Sequence, residues 1–126
     1  MIRSNRFLPL LALLLTIAGT SCSNKASEYY ERGYNRQSNG DFDGAILDFN
    51  KAIELKPDFV DAYHDRGVAH QAKSDLAGAI ADYTKAIELK PDFALAYSDR
   101  GFAKEAKGDS DGSLASASKR SEQISR

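Results

Sequence analysis

The nine residues KAIELKPDF occur twice in this chain of 126 residues, from Lys51 to Phe59 and again from Lys85 to Phe93. The two copies are offset by 34 residues, and related sequences flank both of them. GAILDFN precedes the first copy and GAIADYT the second, while DAYHDRG and LAYSDRG follow them. Self-similarity at a fixed period indicates a repeat array, in which each unit packs against its neighbours. At this period the chain divides into three units: residues 26–59, 60–93 and 94–126.

The first part of the second unit has the apolar spacing of a helix. Tyr63, Gly67 and His70 recur at helical intervals, which predicts a helix over residues 60–73. A glycine inside a helix costs up to about 1 kcal/mol relative to alanine. Because all three units accept this cost, we expect a close helix crossing at the glycine.

The second part of the same unit predicts a partner helix over residues 77–89. Ala79, Tyr83 and Ala86 line one face, so that an aromatic residue stands between two small ones. This alternation would let the ring of one helix pack beside the glycine of the other, as a ridge fits into a groove.

The spacing and the residue types resemble those of the tetratricopeptide repeat (TPR), a helix–turn–helix unit of 34 residues. The family pattern has an aromatic residue and a glycine in the first helix, followed by Ala, an aromatic residue, Ala and Pro. The resemblance implies an all-α fold, a right-handed α-solenoid of about three helix-turn-helix (TPR) repeats. The matching residues are Tyr29, Gly33, Ala45, Phe49, Ala52 and Pro57; Tyr63, Gly67, Ala79, Tyr83, Ala86 and Pro91; and Tyr97 and Gly101.

One departure from the family pattern recurs in every unit. The residue before the glycine, usually Leu in the family, is Arg32, Arg66 or Arg100, and Asp48 and Asp82 occupy matching places in the second helices. We hypothesise ion pairs between these arginines and aspartates, within or between units. The alternative is that all of them are solvated surface charges, each worth little.

The turns are marked by NGD at residues 39–41, KSD at 73–75 and KGD at 107–109. Their aspartates can cap the free amide groups at a helix start, which is a commoner role for Asp41, Asp43 and Asp109 than metal binding. The second helix of the third unit, expected near residues 111–124, is degenerate. A terminal unit needs a polar outer face, so this segment is either a cap or a helix that frays after about Lys119.

The first 21 residues have the features of a secretory signal peptide. Arg3 and Arg6 precede a 12-residue apolar run from Phe7 to Ala18, whereas a membrane span takes about 20 residues. GTSC follows and ends at Cys22, the one cysteine of the chain; it resembles the bacterial lipobox, except that Gly19 replaces the usual aliphatic residue. The resemblance implies lipidation of Cys22, with residues 22–27 as a short tether.

Lipidation predicts a location in the bacterial cell envelope. The protein would be lipid-anchored to a membrane, with the outer membrane favoured, and would face the periplasm. The alternative is a secreted soluble protein that is cleaved near the same place.

Neither motifs nor composition indicate an enzyme. The chain has no HExxH or CxxC motif and no phosphate-binding glycine loop, so we expect no catalytic residues, no metal site and no cofactor. The formal net charge is −1, without a strongly basic face, so nucleic acid is not expected as a partner.

What remains is a binding role. The TPR resemblance implies a groove that is lined by the first helices and that could hold an extended peptide or a helix of another protein. The family's carboxylate clamp, built from Lys, Arg and Asn, is absent, so we expect no binding of chaperone tails; packing against neighbouring helices is the alternative role for each groove residue. The candidate groove residues are Tyr30, Tyr34, Gln37, His64, Val68, Gln71, Ser98, Phe102 and Glu105.

The sequence therefore predicts a non-catalytic protein–protein interaction module, a scaffold or assembly factor for an envelope complex. An accessory or regulatory subunit of an envelope enzyme is the alternative role. Three units are near the minimum for a stable array, which leaves self-association through the exposed ends open.

Overall fold

The computed structural model describes residues 7–108, with side chains from residue 21 onward. A helical segment that we label α5 covers residues 94–108, at the end of the described part. No strand occurs between residues 7 and 108, and the predicted all-α fold class is confirmed. The preceding helices are α1 (Phe7–Ser38), α2 (Phe42–Leu55), α3 (Val60–Ala72) and α4 (Leu76–Leu89).

The chain forms two compact units, one up to Ala62 and one from Tyr63 onward. Each has a small core in which alanines surround one aromatic ring. In the first unit the ring is Phe49, and in the second it is Tyr83, which packs with Ala79 of α4 and Ala103 of α5. The same ring-and-alanine pattern therefore builds both cores.

The helix bounds follow the predicted repeat steps closely. The predicted helix 60–73 is α3, and the predicted helix 77–89 is α4, which begins one residue earlier. Residues 22–27, expected to be a tether, lie inside the 32-residue helix α1, where Ala26 is buried. Arg3, Arg6 and the predicted helix over 111–124 lie outside the described residues.

The N-terminal expectations involve α1. In the described part of the chain, no helix combines the length and the apolar character that crossing a membrane requires. Cys22 is an exposed free cysteine on this helix. Its predicted lipidation and the predicted signal peptide both stay predictions.

Two aspartates cap the second helices, as predicted for Asp41. Its Oδ1 accepts a hydrogen bond from the backbone N–H of Gly44 at 2.9 Å, and Asp75 makes the equivalent bond to Gly78 at 3.0 Å. The residue before the capping aspartate has a positive φ in both turns, 83° at Gly40 and 64° at Ser74. Glycine adopts this conformation without strain, whereas Ser74 does not. Asp43 lies in the first turn of α2, and Asp109 lies outside the described residues.

The predicted contact between glycine and aromatic ring occurs in both units. A Cβ added to Gly33 would lie 2.9 Å from the ring of Phe49, and one added to Gly67 would lie 2.8 Å from the ring of Tyr83. Real Cβ atoms do not approach carbon this closely, so a side chain at either position would push the paired helices apart. The three recurring glycines are thus explained in the two units where the partner ring is described.

Substituting Gly67 and Gly101 by alanine should change stability in opposite directions. Gly67→Ala forces a methyl group against Tyr83, and overpacking of this kind costs about 1–3 kcal/mol. Gly101→Ala meets nothing within 4 Å, so it should gain up to about 1 kcal/mol from helix propensity. Urea unfolding of both variants measures the two effects, and equal effects of the same sign would contradict the packing described above.

Candidate functional site

A buried aspartate of each second helix is held by two basic residues of the first helix. In the first unit, Arg32 Nε donates to Asp48 Oδ2 at 2.9 Å, and Arg36 Nη1 lies 3.3 Å from the same oxygen. The side chain of Asp48 is almost fully buried. The hypothesised ion pair therefore forms within this unit, with Arg36 as an additional member.

The second unit repeats this network with a histidine in place of the second arginine. Arg66 donates to Asp82 through Nε at 2.9 Å and through Nη2 at 2.6 Å, while His70 Nε2 lies 3.7 Å from Asp82 Oδ2. The hydrogen bond to Asp82 raises the pKa of Arg66 above its ordinary value, which keeps the pair ionised. Sequence reasoning missed Arg36 and His70, although both stand at the same step of the 34-residue period.

In the first unit, two predicted groove residues share a surface cavity. Tyr30 and Tyr34 line a cavity of about 320 Å³ together with Glu31 and Asn35. The Tyr30 ring also packs against Phe59, with 4.8 Å between ring centroids, whereas Tyr34 is 53% exposed. Tyr34 is thus the more accessible of the two.

The third predicted groove residue of this unit, Gln37, differs from its counterpart Gln71. The side-chain Oε1 of Gln37 is buried without a hydrogen-bond partner among the described residues. In the second unit, the hydroxyl of Tyr83 donates to Gln71 Oε1 at 2.9 Å. Phe49 stands at the position of Tyr83 and carries no hydroxyl, which explains the difference.

In the second unit, Val68 and Gln71 line a cavity of about 440 Å³. Its other walls are Ala72, Tyr83 and Asp99, so an apolar surface meets one carboxylate. The remaining predicted residues on α5 do not line this cavity and are exposed, Phe102 by 62%: they are Ser98, Phe102 and Glu105.

His64 is buried between two carboxylates and is only 7% exposed. Its Nδ1 lies 3.0 Å from Asp65 Oδ1, and its Nε2 lies 2.8 Å from Asp99 Oδ2. Burial by itself lowers the pKa of His64, but the hydrogen bonds and charges of Asp65 and Asp99 outweigh burial and raise the pKa above 6.5. His64 therefore joins α3 to α5 and holds Asp99 at the cavity wall.

No cofactor chemistry emerges from these side chains. Among the residues whose side chains are described, no group of three or more His, Cys, Asp or Glu is arranged to hold a metal ion. The arrangement offers aromatic and aliphatic surface beside a fixed carboxylate, which suits binding of another molecule.

The profile of the family described as "TPR repeat" matches residues 26–74 and 72–108, most of the chain. The chain belongs to the TPR repeat family. Among curated proteins, none matches the sequence. The TPR fold is shared with solved structures, which supports the predicted fold class.

Two solved TPR-containing relatives carry the name MamA. One is 31% identical with a TM-score of 0.66, covering 74% of this chain and 51% of its own. The other is 28% identical with a TM-score of 0.66, covering 82% of this chain and 63% of its own. This chain thus spans about half to three-fifths of those proteins.

A third similar structure is the first TPR of Spaghetti (RPAP3) bound to the HSP90 peptide SRMEEVD. It is 29% identical with a TM-score of 0.66, and the match covers 69% of this chain and 71% of that chain. That TPR domain binds a peptide of another protein.

Replacing Arg66 by leucine should destabilise the second unit. The substitution leaves the buried Asp82 with His70 alone, and loss of a hydrogen-bonded charge partner costs about 1.5–3 kcal/mol. Lys85→Leu is the matched control, because the pair of Lys85 with Glu88 is exposed and spans 3.8 Å. Urea unfolding measures both changes, and an Arg66→Leu variant as stable as the wild type would show that the pairing contributes no net stability.

The contribution of His64 to stability should depend on pH. Because the folded-state pKa of His64 is raised above 6.5, this contribution is fully present below about pH 6.5 and is lost as the pH rises through the folded-state value. The control is His64→Tyr, which places the residue found at position 30. The free energy of unfolding of the wild type minus that of the variant should fall between pH 6 and higher pH; a constant difference would contradict the two-carboxylate geometry.

Proposed function

We propose that this TPR protein is a non-catalytic interaction module that binds a segment of another protein on the first-helix surfaces of its repeats. The observation that carries the proposal is the cavity of about 440 Å³ in the second unit, lined by Val68, Gln71, Ala72, Tyr83 and Asp99. The peptide bound by the similar RPAP3 domain supports a peptide-type ligand. Another similar structure, 28% identical, is a complex of the TPR2B domain of yeast Sti1 with pHsp70.

The ligand should differ in chemistry from the chaperone peptides of those domains. Where a carboxylate clamp would place Lys, Arg or Asn, this chain has Tyr30, Tyr34, Val68, Ser98 and Phe102. Apolar and aromatic side chains cannot hold a terminal carboxylate by charge-assisted hydrogen bonds. We therefore propose that an apolar side chain of the partner enters the cavity and leaves the Asp99 carboxylate near its polar rim.

The peptide SRMEEVD tests the ligand chemistry directly. We expect no saturable binding of this peptide to the full chain at concentrations up to about 1 mM, which corresponds to about −4 kcal/mol. Isothermal titration calorimetry provides the measurement, with a clamp-bearing TPR domain as the positive control. Micromolar binding would contradict the proposed ligand chemistry.

A phage-displayed random peptide library tests the cavity itself. Selection on the full chain should enrich peptides that share an apolar residue, and Val68→Arg should abolish their binding by filling the cavity. Leu47→Arg is the matched control, because Leu47 is 64% exposed on α2. Circular dichroism verifies that both variants fold, and equal binding by the two variants would remove the cavity from the site.

For its location, we propose that the module is held in a bacterial envelope by a lipid on Cys22 and acts there as a scaffold or assembly factor. The proposal is supported by the signal-like residues 1–21 and by the exposed, free state of Cys22. Acyl chains contribute about 0.8 kcal/mol per buried methylene, so several chains anchor a protein stably without a membrane-spanning helix.

Metabolic labelling with a radioactive fatty acid tests the anchor. We expect the wild-type protein to incorporate label into the membrane fraction, and the Cys22→Ala variant to incorporate none. Cys22→Ser is a second control that preserves side-chain size. An unlabelled wild-type protein in the soluble fraction would favour the secreted form, and cross-linking to an enzyme subunit would favour the accessory role over the scaffold role.

A further inference from the structure

Helix α5 presents the residue set that α1 and α3 use to hold their second helices. Within α1 and α3 this set consists of an aromatic residue, an arginine, the glycine and a second basic residue. We call the corresponding set on α5 the α5 docking face: Tyr97, Arg100, Gly101 and Lys104.

The glycine of this face has no ring against it among the described residues. At Gly33 and Gly67 an aromatic ring lies within 2.9 Å of an added Cβ, but at Gly101 nothing described lies within 4 Å. Tyr97 is 45% exposed, whereas its counterparts Tyr29 and Tyr63 are half-buried. The notch that receives a ring in the other repeats is therefore open in the part of the chain that the structure describes.

The basic residues of this face differ from their counterparts in what they contact. Asp48 contacts both Arg32 and Arg36, and Asp82 contacts both Arg66 and His70. Between residues 21 and 108, no carboxylate lies at ion-pair distance from Arg100 or Lys104, and Arg100 Nη1 donates to Thr84 Oγ1 at 3.3 Å instead. Two positive charges thus flank the open notch.

The sequence that follows α5 carries neither the acid nor the ring. One further repeat step from Asp82 and Tyr83 leads to Ser116 and Ala117. The two flanking alanines, Ala79 and Ala86, are likewise replaced by Ser113 and Arg120. The chain therefore repeats the receiving face a third time without repeating the side chains that this face receives.

We propose that the α5 docking face binds, in trans, a helix of another protein that carries an aspartate followed by Phe or Tyr, with alanine three residues before the aspartate and three after the aromatic residue. The aromatic ring would enter the notch at Gly101, and the carboxylate would pair with Arg100 and Lys104. Both α2 and α4 show this geometry within the same molecule, which defines the chemistry of the partner. The proposal does not depend on the cavity at Val68.

A synthetic peptide with the sequence of residues 75–90, DLAGAIADYTKAIELK, is the probe. Labelled with a fluorophore, it should bind the full chain saturably in detergent solution, as measured by fluorescence anisotropy. Peptides with Tyr83→Ala or Asp82→Asn should each bind at least about tenfold more weakly, which corresponds to about 1.4 kcal/mol. Equal affinities of the three peptides would overturn the proposal.

Variants of the protein locate the binding surface. Gly101→Leu, which fills the notch, and Arg100→Glu should abolish binding of the peptide. Phe102→Ala should preserve this binding, because Phe102 belongs to the proposed groove, so the two proposals fail separately. If the peptide instead displaced α4 from its own place, Gly101→Leu would leave the affinity unchanged, and the proposal would be overturned.

A gain-of-function variant tests the occupant. Ser116→Asp combined with Ala117→Tyr supplies the missing acid and ring in the same chain, and it should abolish binding of the peptide and raise the free energy of unfolding. Failure of the wild-type chain to bind the peptide would show that residues 109–126 or a second copy cover the face, and sedimentation velocity would identify the second copy. Either result would overturn the proposal.

Discussion

The contact between a glycine of the first helix and an aromatic ring of the second sets the separation of the paired helices. At Gly67 and Tyr83 this separation leaves no room for a methyl group, and Gly33 and Phe49 repeat the arrangement. The helices can approach this closely only because glycine has no side chain, at a cost of up to about 1 kcal/mol in helix propensity. The position of every other residue between the paired helices follows from this approach.

The networks of arginine and aspartate lie directly beside the rings. Because burying charge is costly, such networks favour one arrangement over others more than they add stability. The two networks and the two rings together define what a second helix must carry in order to dock. On α5 the same requirements are present without an occupant among the described residues, which makes this helix the most informative surface for identifying a partner. The cavity beside Asp99 is a second, separate surface, with an apolar wall.

The 34-residue period predicted the fold well, since helices 60–73 and 77–89 differ from α3 and α4 by one residue at one end. It also predicted the glycine contact, because spacing alone places Gly67 opposite Tyr83. The inclusion of residues 22–27 in α1 was not predicted, because their small polar side chains are typical of linkers, whereas extending an existing helix costs little. The bridge from His64 to Asp99 was missed because Tyr30 and Ser98, at the same repeat position as His64, give no repeated signal. Whether the predicted groove residues contact a ligand stays a prediction.

The central claim is that Gly67 is required because of the ring of Tyr83, and a double-mutant cycle measures this dependence. The free energy change caused by Gly67→Ala is determined by urea unfolding, once in the wild type and once in a Tyr83→Val background. The packing predicts destabilisation in the wild type and a stabilisation of up to about 1 kcal/mol in the background without the ring, since only helix propensity then remains. The same destabilisation in both backgrounds would contradict the account.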